Sequence, residues 1–187
     1  MSKTYHLTAP LSDADVVQLQ AGDIVYLSGI IYTARDAAHK KLVDLLDAGQ
    51  PLPFDMQGAV VYFVGPTPPK PGDPIGSAGP TTSYRMDSYS PKLINEQGLK
   101  GMIGKGKRSQ EVLDACVKSK AIYFAATGGA GALLARQIKS AEVIAYPELA
   151  SEAIRRLEIV DFPLTVINDT YGADLYKIGR AQYEVFS

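Results

Sequence analysis

A chain of 187 residues with 46% hydrophobic and 21% charged residues is long enough for one soluble domain with a sizeable core. Its formal net charge of −1 provides no broad basic field, so nucleic acid and anionic membrane surfaces are excluded as expected partners. No apolar run is long enough to span a bilayer, and Met1–Leu7 lacks a signal-peptide core, so the expectation is a cytoplasmic protein.

Along the chain, Ser12 and Asp13 are capping residues for a short helix over Ser12–Leu19. Gly22-Asp23 turns into Ile24–Tyr32, whose β-branched and aromatic content predicts a buried strand. Ala34–Ala48 carries an apolar stripe (Ala37, Ala38, Lys41, Leu42, Leu45, Leu46) closed by Gly49, and predicts the clearest helix. Arg35 in its first turn opposes the helix dipole's preference for negative charge, a mismatch that a bound anion resolves. His39 follows Arg35 by one turn, where a structural role is favoured.

Ala59–Val64 is the next predicted strand. Gly65–Pro80 holds six of the twelve prolines and reads as a long loop of functional character, delivering the chain to Gly79-Pro80-Thr81-Thr82-Ser83-Tyr84-Arg85-Met86-Asp87. In that stretch two hydroxyls and an arginine sit on one short turn, the alternative being a helix start with Thr81 or Thr82 as N-cap. Ser90–Gly98 predicts a helix, Leu99–Ile103 a strand, Ser109–Lys118 a helix and Ala121–Ala126 a strand. A glycine turn at 128–131, a helix over Ala132–Gln137 and strands at Glu142–Ala145 and Leu164–Ile167 follow. Glu148–Leu157 reads as helical, Asp169–Gly172 as a plain turn, and Arg180–Ser187 is too short to assign. The alternation is that of an α/β domain.

Motifs for common chemistries fail in register. Gly101–Arg108 approaches a phosphate-binding loop, but Arg108 stands where magnesium needs a hydroxyl. Thr127–Leu134 suggests a dinucleotide fingerprint with Leu134 at the third small position. With one cysteine, Cys116, and two histidines, His6 and His39, the chain completes neither an internal disulfide nor a Cys/His zinc site. Cys116 has the helical spacing of a small core residue. What remains is a cationic set, Arg35, Arg85 and Lys105, each at a loop or helix start and suited to a small anion.

Five stretches carry a family resemblance: GPTTSYRMD (79–87), GIIYTARDAAHKKL (29–42), KGKRS (105–109), SAEVIAYPELASEA (140–153) and VDFP (160–163). Together they resemble the C-terminal part of class I, iron–sulfur-dependent fumarases, which is the β subunit where the enzyme is split, and the similar L-tartrate dehydratase β subunit. The resemblance implies a single domain over residues 1–187, a swivelling β/β/α domain with mixed sheet layers and flanking helices. It implies reversible hydration of fumarate to (S)-malate at an active site shared with a cluster-bearing α subunit, in an α2β2 heterotetramer. It also implies a [4Fe–4S] cluster; because clusters need several thiolates and this chain has only Cys116, the partner subunit is expected to hold it. Matched residue by residue, Thr81 falls on the proposed proton-transfer threonine, and Arg35, Arg85 and Lys105 on the substrate-binding cations. Lys107 replaces the usual asparagine of the Lys-Gly turn. L-tartrate dehydratase and a non-catalytic anion-binding regulatory module are the alternatives.

Overall fold

The computed structural model describes residues 1–126 and 131–183, with side chains to 179. Seven strands form one sheet: β1 Thr4–Ala9, β2 Ile24–Thr33, β3 Val60–Tyr62, β4 Gly101–Gly104, β5 Ile122–Ala126, β6 Ile138–Ala145 and β7 Ile154–Asn168. β2, β3, β4 and β5 run parallel as neighbours, and the long antiparallel pairing of β2 with β7, from Ile24↔Thr165 to Tyr32↔Arg156, closes them into a five-stranded barrel. β1 adds to the free edge of β2, and β6 adds antiparallel to β7. The helices are α1 Asp13–Val17, α2 Asp36–Asp47, α3 Ser90–Gln97, α4 Gln110–Ser119, α5 Gly131–Ala135 and α6 Leu175–Tyr183. None is long and apolar enough to cross a membrane among the described residues.

Period-2 alternation sorts the strand residues into two cores. Val60, Tyr62 and Val64 join Val25, Leu27, Ile31, Ile103, Phe124, Leu164 and Val166 inside the barrel. Val61, Phe63, Met102 and Tyr123 face outward onto Ala38 and Leu42 of α2, Leu93 and Ile94 of α3, and Val112, Ala115 and Cys116 of α4. The helices therefore lie on the barrel's outer face. Cys116 is fully buried in this second layer, where burial pushes its thiol up to about 12, and it behaves as a core residue.

Most predicted elements hold. Ser12 caps α1 through a capping box with Asp15, Ser109 caps α4 at Val112 N, and Gly98 ends α3 in the left-handed conformation. Residues 65–80 contain no regular helix or strand. Three assignments change and two elements are added. Glu148–Leu157 is not a helix: a 3-10 turn covers Pro147–Glu152 and β7 then starts at Ile154. Pairing of Leu157 and Arg156 with β2 on one side and β6 on the other overrides the local helical preference. β7 also absorbs the predicted Leu164–Ile167 strand, while β6 begins four residues before the predicted Glu142. β1 and α6 were not predicted; β1 is an edge strand with mostly solvent-accessible residues, so its sequence carries little apolar signal. The glycine turn at 128–131 lies outside the described residues except for Gly131, which opens α5.

His39 is sealed between α2 and the barrel, edge-on to Phe63 and beside Tyr89. Its Nδ1 lies 2.9 Å from the Arg35 carbonyl oxygen. A carbonyl only accepts, so Nδ1 carries the proton and the ring is neutral, leaving Nε2 buried without a partner. Burial lowers its pKa from 6.5 to about 4, the nearby Arg108 charge adding to the effect and the Arg35 carbonyl opposing it. The unfolded chain therefore takes up this proton first as pH falls. The residue's contribution is complete above pH 6.5 and is lost as pH drops through about 4, roughly 3 kcal/mol in total at about 1.4 kcal/mol per unit. Denaturation curves between pH 7 and 4 should show this loss in the wild type and a flatter dependence in His39→Gln; parallel curves would contradict it.

Candidate functional site

The C-terminal ends of the parallel strands β2, β3 and β4 meet at one rim, the edge where open α/β sheets commonly place ligands. β2 ends at Thr33, and Arg35 follows as the N-cap residue of α2. β3 leads through Phe63 and Val64 to Gly65, and β4 leads to Lys105. Thr81 is fixed at the same rim by backbone alone: its N–H donates to the Phe63 carbonyl (2.7 Å), and its carbonyl accepts from Lys105 N–H (3.3 Å). Ser83 N–H then donates to the Lys105 carbonyl at 2.9 Å, and Val64 bridges Pro80. The loop before Thr81 is fastened by Tyr62, whose buried hydroxyl donates to the Ala78 carbonyl, and by Ala78 N–H to the Gly131 carbonyl (3.1 Å). Burial raises the Tyr62 phenol, so it stays a neutral donor.

Neither threonine is a side-chain cap. Thr82 occupies the N-cap position of the 3-10 turn Ser83–Met86 without a side-chain hydrogen bond, and Thr81 lies one residue further out. Among the described residues the Thr81 hydroxyl has no hydrogen-bond partner. Ser83, in contrast, is structural: Tyr123 must donate to the Gly106 carbonyl (2.9 Å), so Ser83 Oγ donates to the Tyr123 hydroxyl (2.8 Å). Ser83 packs so closely over β4 that a Cβ on Gly104 would lie 1.9 Å from its Oγ.

The two polar stretches that flank the rim are tied together by Arg108. Its side chain is fully buried and donates Nε–H to Asp87 Oδ1 (2.6 Å) and Nη2–H to Ser90 Oγ (2.8 Å), between the rings of Phe63 and Tyr123. Asp87 Oδ2 accepts from Ser109 N–H at 2.7 Å. Asp87 at the end of one stretch thus grips both Arg108 and Ser109 at the end of the other. The phosphate-loop likeness of 101–108 fails here physically, because Arg108 points into the protein. Lys105 and Lys107 remain exposed, with no carboxylate partner among the described residues.

The arginines do have such partners. Arg85 forms an ion pair with Asp36, the first residue of α2, and Arg35 Nε lies 3.5 Å from Glu152 Oε1. Neither pairing is foretold by the sequence: Asp36 is read there only as lying in the first turn with Arg35, and Glu152 is remote and was assigned to a helix. Asp36 restores the negative charge that the first turn of α2 prefers. One Asp36 oxygen, Arg35 Nε and Glu152 Oε1 are buried without hydrogen bonds. The rim thus carries three cations, two of them beside carboxylates, and Lys105 without one among the described residues.

An iron–sulfur cluster does not fit the described residues of this chain. The sole thiol is buried away from the rim elements on α4, and no grouping of three His, Cys, Asp or Glu is placed to hold a metal ion.

The Fumarase C-terminus family matches residues 2–179. The chain is 42% identical over 174 residues to the anaerobic class I fumarate hydratase of Escherichia coli strain K12, covering 91% of this chain and 32% of that protein. Fumarate hydratase 2 of Leishmania major is 40% identical over 161 residues, 86% of this chain and 28% of that enzyme. The L(+)-tartrate dehydratase subunit beta of Escherichia coli strain K12 is 34% identical over 173 residues, 90% of this chain and 85% of that subunit. The chain thus spans about a third of the length of the fumarate hydratases it matches, and most of the length of a tartrate dehydratase β subunit. It belongs to the fumarase C-terminal family.

Proposed function

We propose that this chain is the β subunit of a two-subunit [4Fe–4S] hydro-lyase that hydrates fumarate reversibly to (S)-malate in the cytoplasm. Residues 1–187 act as one swivelling domain that closes over a cluster-bearing α subunit in an α2β2 assembly, so that the active site lies between subunits. The observation that carries the reading is the convergence of Arg35, Thr81, Arg85 and Lys105 on one rim of a fumarase C-terminal chain. The cluster is assigned to the α subunit, since this chain offers one buried thiol.

In this reading Arg35, Arg85 and Lys105 hold the two carboxylates of a C4 diacid, the guanidinium planes fixing orientation and the ammonium adding charge. Thr81, held by backbone bonds on both sides, presents its hydroxyl oxygen to the carbon that exchanges a proton next to a carboxylate. A threonine hydroxyl needs a base to accept its own proton. No described side chain bonds to it here, so that group is assigned to the partner subunit. A regulatory anion-binding module is disfavoured, because the full set of rim residues is retained.

Dehydration of L-tartrate is the second reading. It is supported by likeness to the L(+)-tartrate dehydratase subunit beta of Escherichia coli, 34% identical over 90% of this chain. Lys107, exposed on the turn beyond Lys105 where the fumarase pattern has asparagine, is the departure that bears on which diacid is preferred.

Thr81→Ala in the reconstituted, cluster-loaded complex tests the assignment. It removes a hydroxyl and no charge, so kcat for fumarate hydration should fall by about 10²–10⁴ while KM stays close to wild type. Thr81→Ser should recover part of the rate. With no capping role to lose, the melting temperature should hardly move. An unchanged kcat removes Thr81 from proton transfer, and turnover of L-tartrate in preference to fumarate by the wild type selects the second reading.

A further inference from the structure

We infer that Glu152 is a positioning residue for Arg35, mounted on a strained turn whose backbone is held by Arg155. The inference rests on the dicarboxylate reading of the rim. Pro147–Glu152 is a 3-10 turn that breaks local preference twice. Tyr146 stands before it at φ 55°, ψ 53°, and Ala150 within it at φ 53°, ψ −110°, where a residue with a Cβ is rarely found. Strained backbone of this kind persists when its surroundings over-determine it, and it concentrates at functional sites.

The surroundings here do so. The Arg155 guanidinium donates to three carbonyls of the turn, those of Ala150 (3.1 Å), Ser151 (3.2 Å) and Ala153 (3.2 Å). Thr33, at the end of β2, accepts from Arg155 N–H (2.9 Å) and donates to the Ala153 carbonyl (3.2 Å). Lys41 of α2 pairs with Glu148 at 3.2 Å and lies over the Tyr146 ring. The turn is thus locked to the two elements that carry Arg35, namely the end of β2 and the start of α2.

What the lock delivers is the Glu152 carboxylate to the inner side of Arg35. Glu152 Oε1 and Arg35 Nε lie 3.5 Å apart, both atoms buried and neither hydrogen-bonded. Arg35 keeps 22% of its side-chain exposure, which therefore belongs to atoms other than Nε. Gly65 also admits the guanidinium: a Cβ there would stand 2.6 Å from Nη1. Glu152 and Gly65 together fix the plane in which Arg35 meets a ligand carboxylate, and that plane governs a forked contact. Glu152 Oε1 is buried against Arg35 Nε, and through that contact Glu152 acts on Arg35.

Kinetics of fumarate hydration and calorimetric binding of succinate, both on the cluster-loaded two-subunit complex, test this with Glu152→Ala, Glu152→Gln, Arg35→Ala and the Arg35→Ala/Glu152→Ala double variant. Glu152→Ala should raise KM and weaken succinate binding by about tenfold or more, with kcat within about threefold. Glu152→Gln, which keeps the side chain's shape but not its charge, should recover only part of that loss. In the double variant the effect of Glu152→Ala should vanish, since its route through Arg35 is already gone. Additive losses in the double variant, or unchanged KM and succinate affinity in Glu152→Ala, overturn the inference and leave the function standing. Succinate binding with the expected non-additivity, in a wild type that hydrates neither fumarate nor dehydrates L-tartrate, upholds the inference and overturns the function. A wild type that binds no dicarboxylate overturns both.

Discussion

The antiparallel pairing of β2 with β7 is the constraint on which the rest of the molecule depends. Without it, β2–β5 together with β7 would be an open sheet, exposing one edge of β2 and one of β7. With it, the sheet closes, Tyr62, Phe124 and Phe162 fill the interior, and α2, α3 and α4 are left to cover the outside. Parallel pairing of β2, β3 and β4 brings their C-terminal ends to one rim, so residues distant in sequence become neighbours. Arg35, Thr81 and Lys105 each leave the barrel within two residues of a strand end or of a backbone bond to one. Rigid mounting of this kind is what a site needs when its ligand must be held within a fraction of an ångström.

Charge at the rim is divided between holding the site and meeting the ligand. Arg108 with Asp87 belongs entirely to the first task; it is buried, hydrogen-bonded and stacked between aromatic rings. Removing either partner would leave a buried charge, which is far costlier than the pair itself. Arg35 and Arg85 stand between the tasks, each beside a carboxylate yet still partly exposed. Lys105 is exposed and has no counter-ion among the described residues. Asp36 and Glu152 offset the charges of Arg85 and Arg35, a local balance that net charge alone does not reveal.

How much of this was legible in the sequence varied with the distance over which each signal acts. Helix starts were legible because a cap is a local device: Ser12 and Ser109 each bond within three residues. The buried strands were legible from short apolar runs, and the 65–80 loop from its prolines. The four rim residues were found by likeness to a family, since nothing local separates Arg85 from a solvated arginine. Glu148–Leu157 misled because its composition is helical, whereas β2 and β6 dictate the strand from both sides. That error hid Glu152. Asp87 and Arg108 stood in quoted stretches, but their bond crosses from one stretch to the other and no spacing rule foretells it.

The central claim is that this rim is a clamp for a C4 dicarboxylate. It is tested most directly by a crystal structure of the assembled two-subunit complex with succinate bound. The account predicts succinate at the rim, its carboxylate oxygens within hydrogen-bond distance of the guanidinium groups of Arg35 and Arg85 and of the Lys105 ammonium. Succinate bound elsewhere in the complex, with all three cations out of its reach, would contradict it.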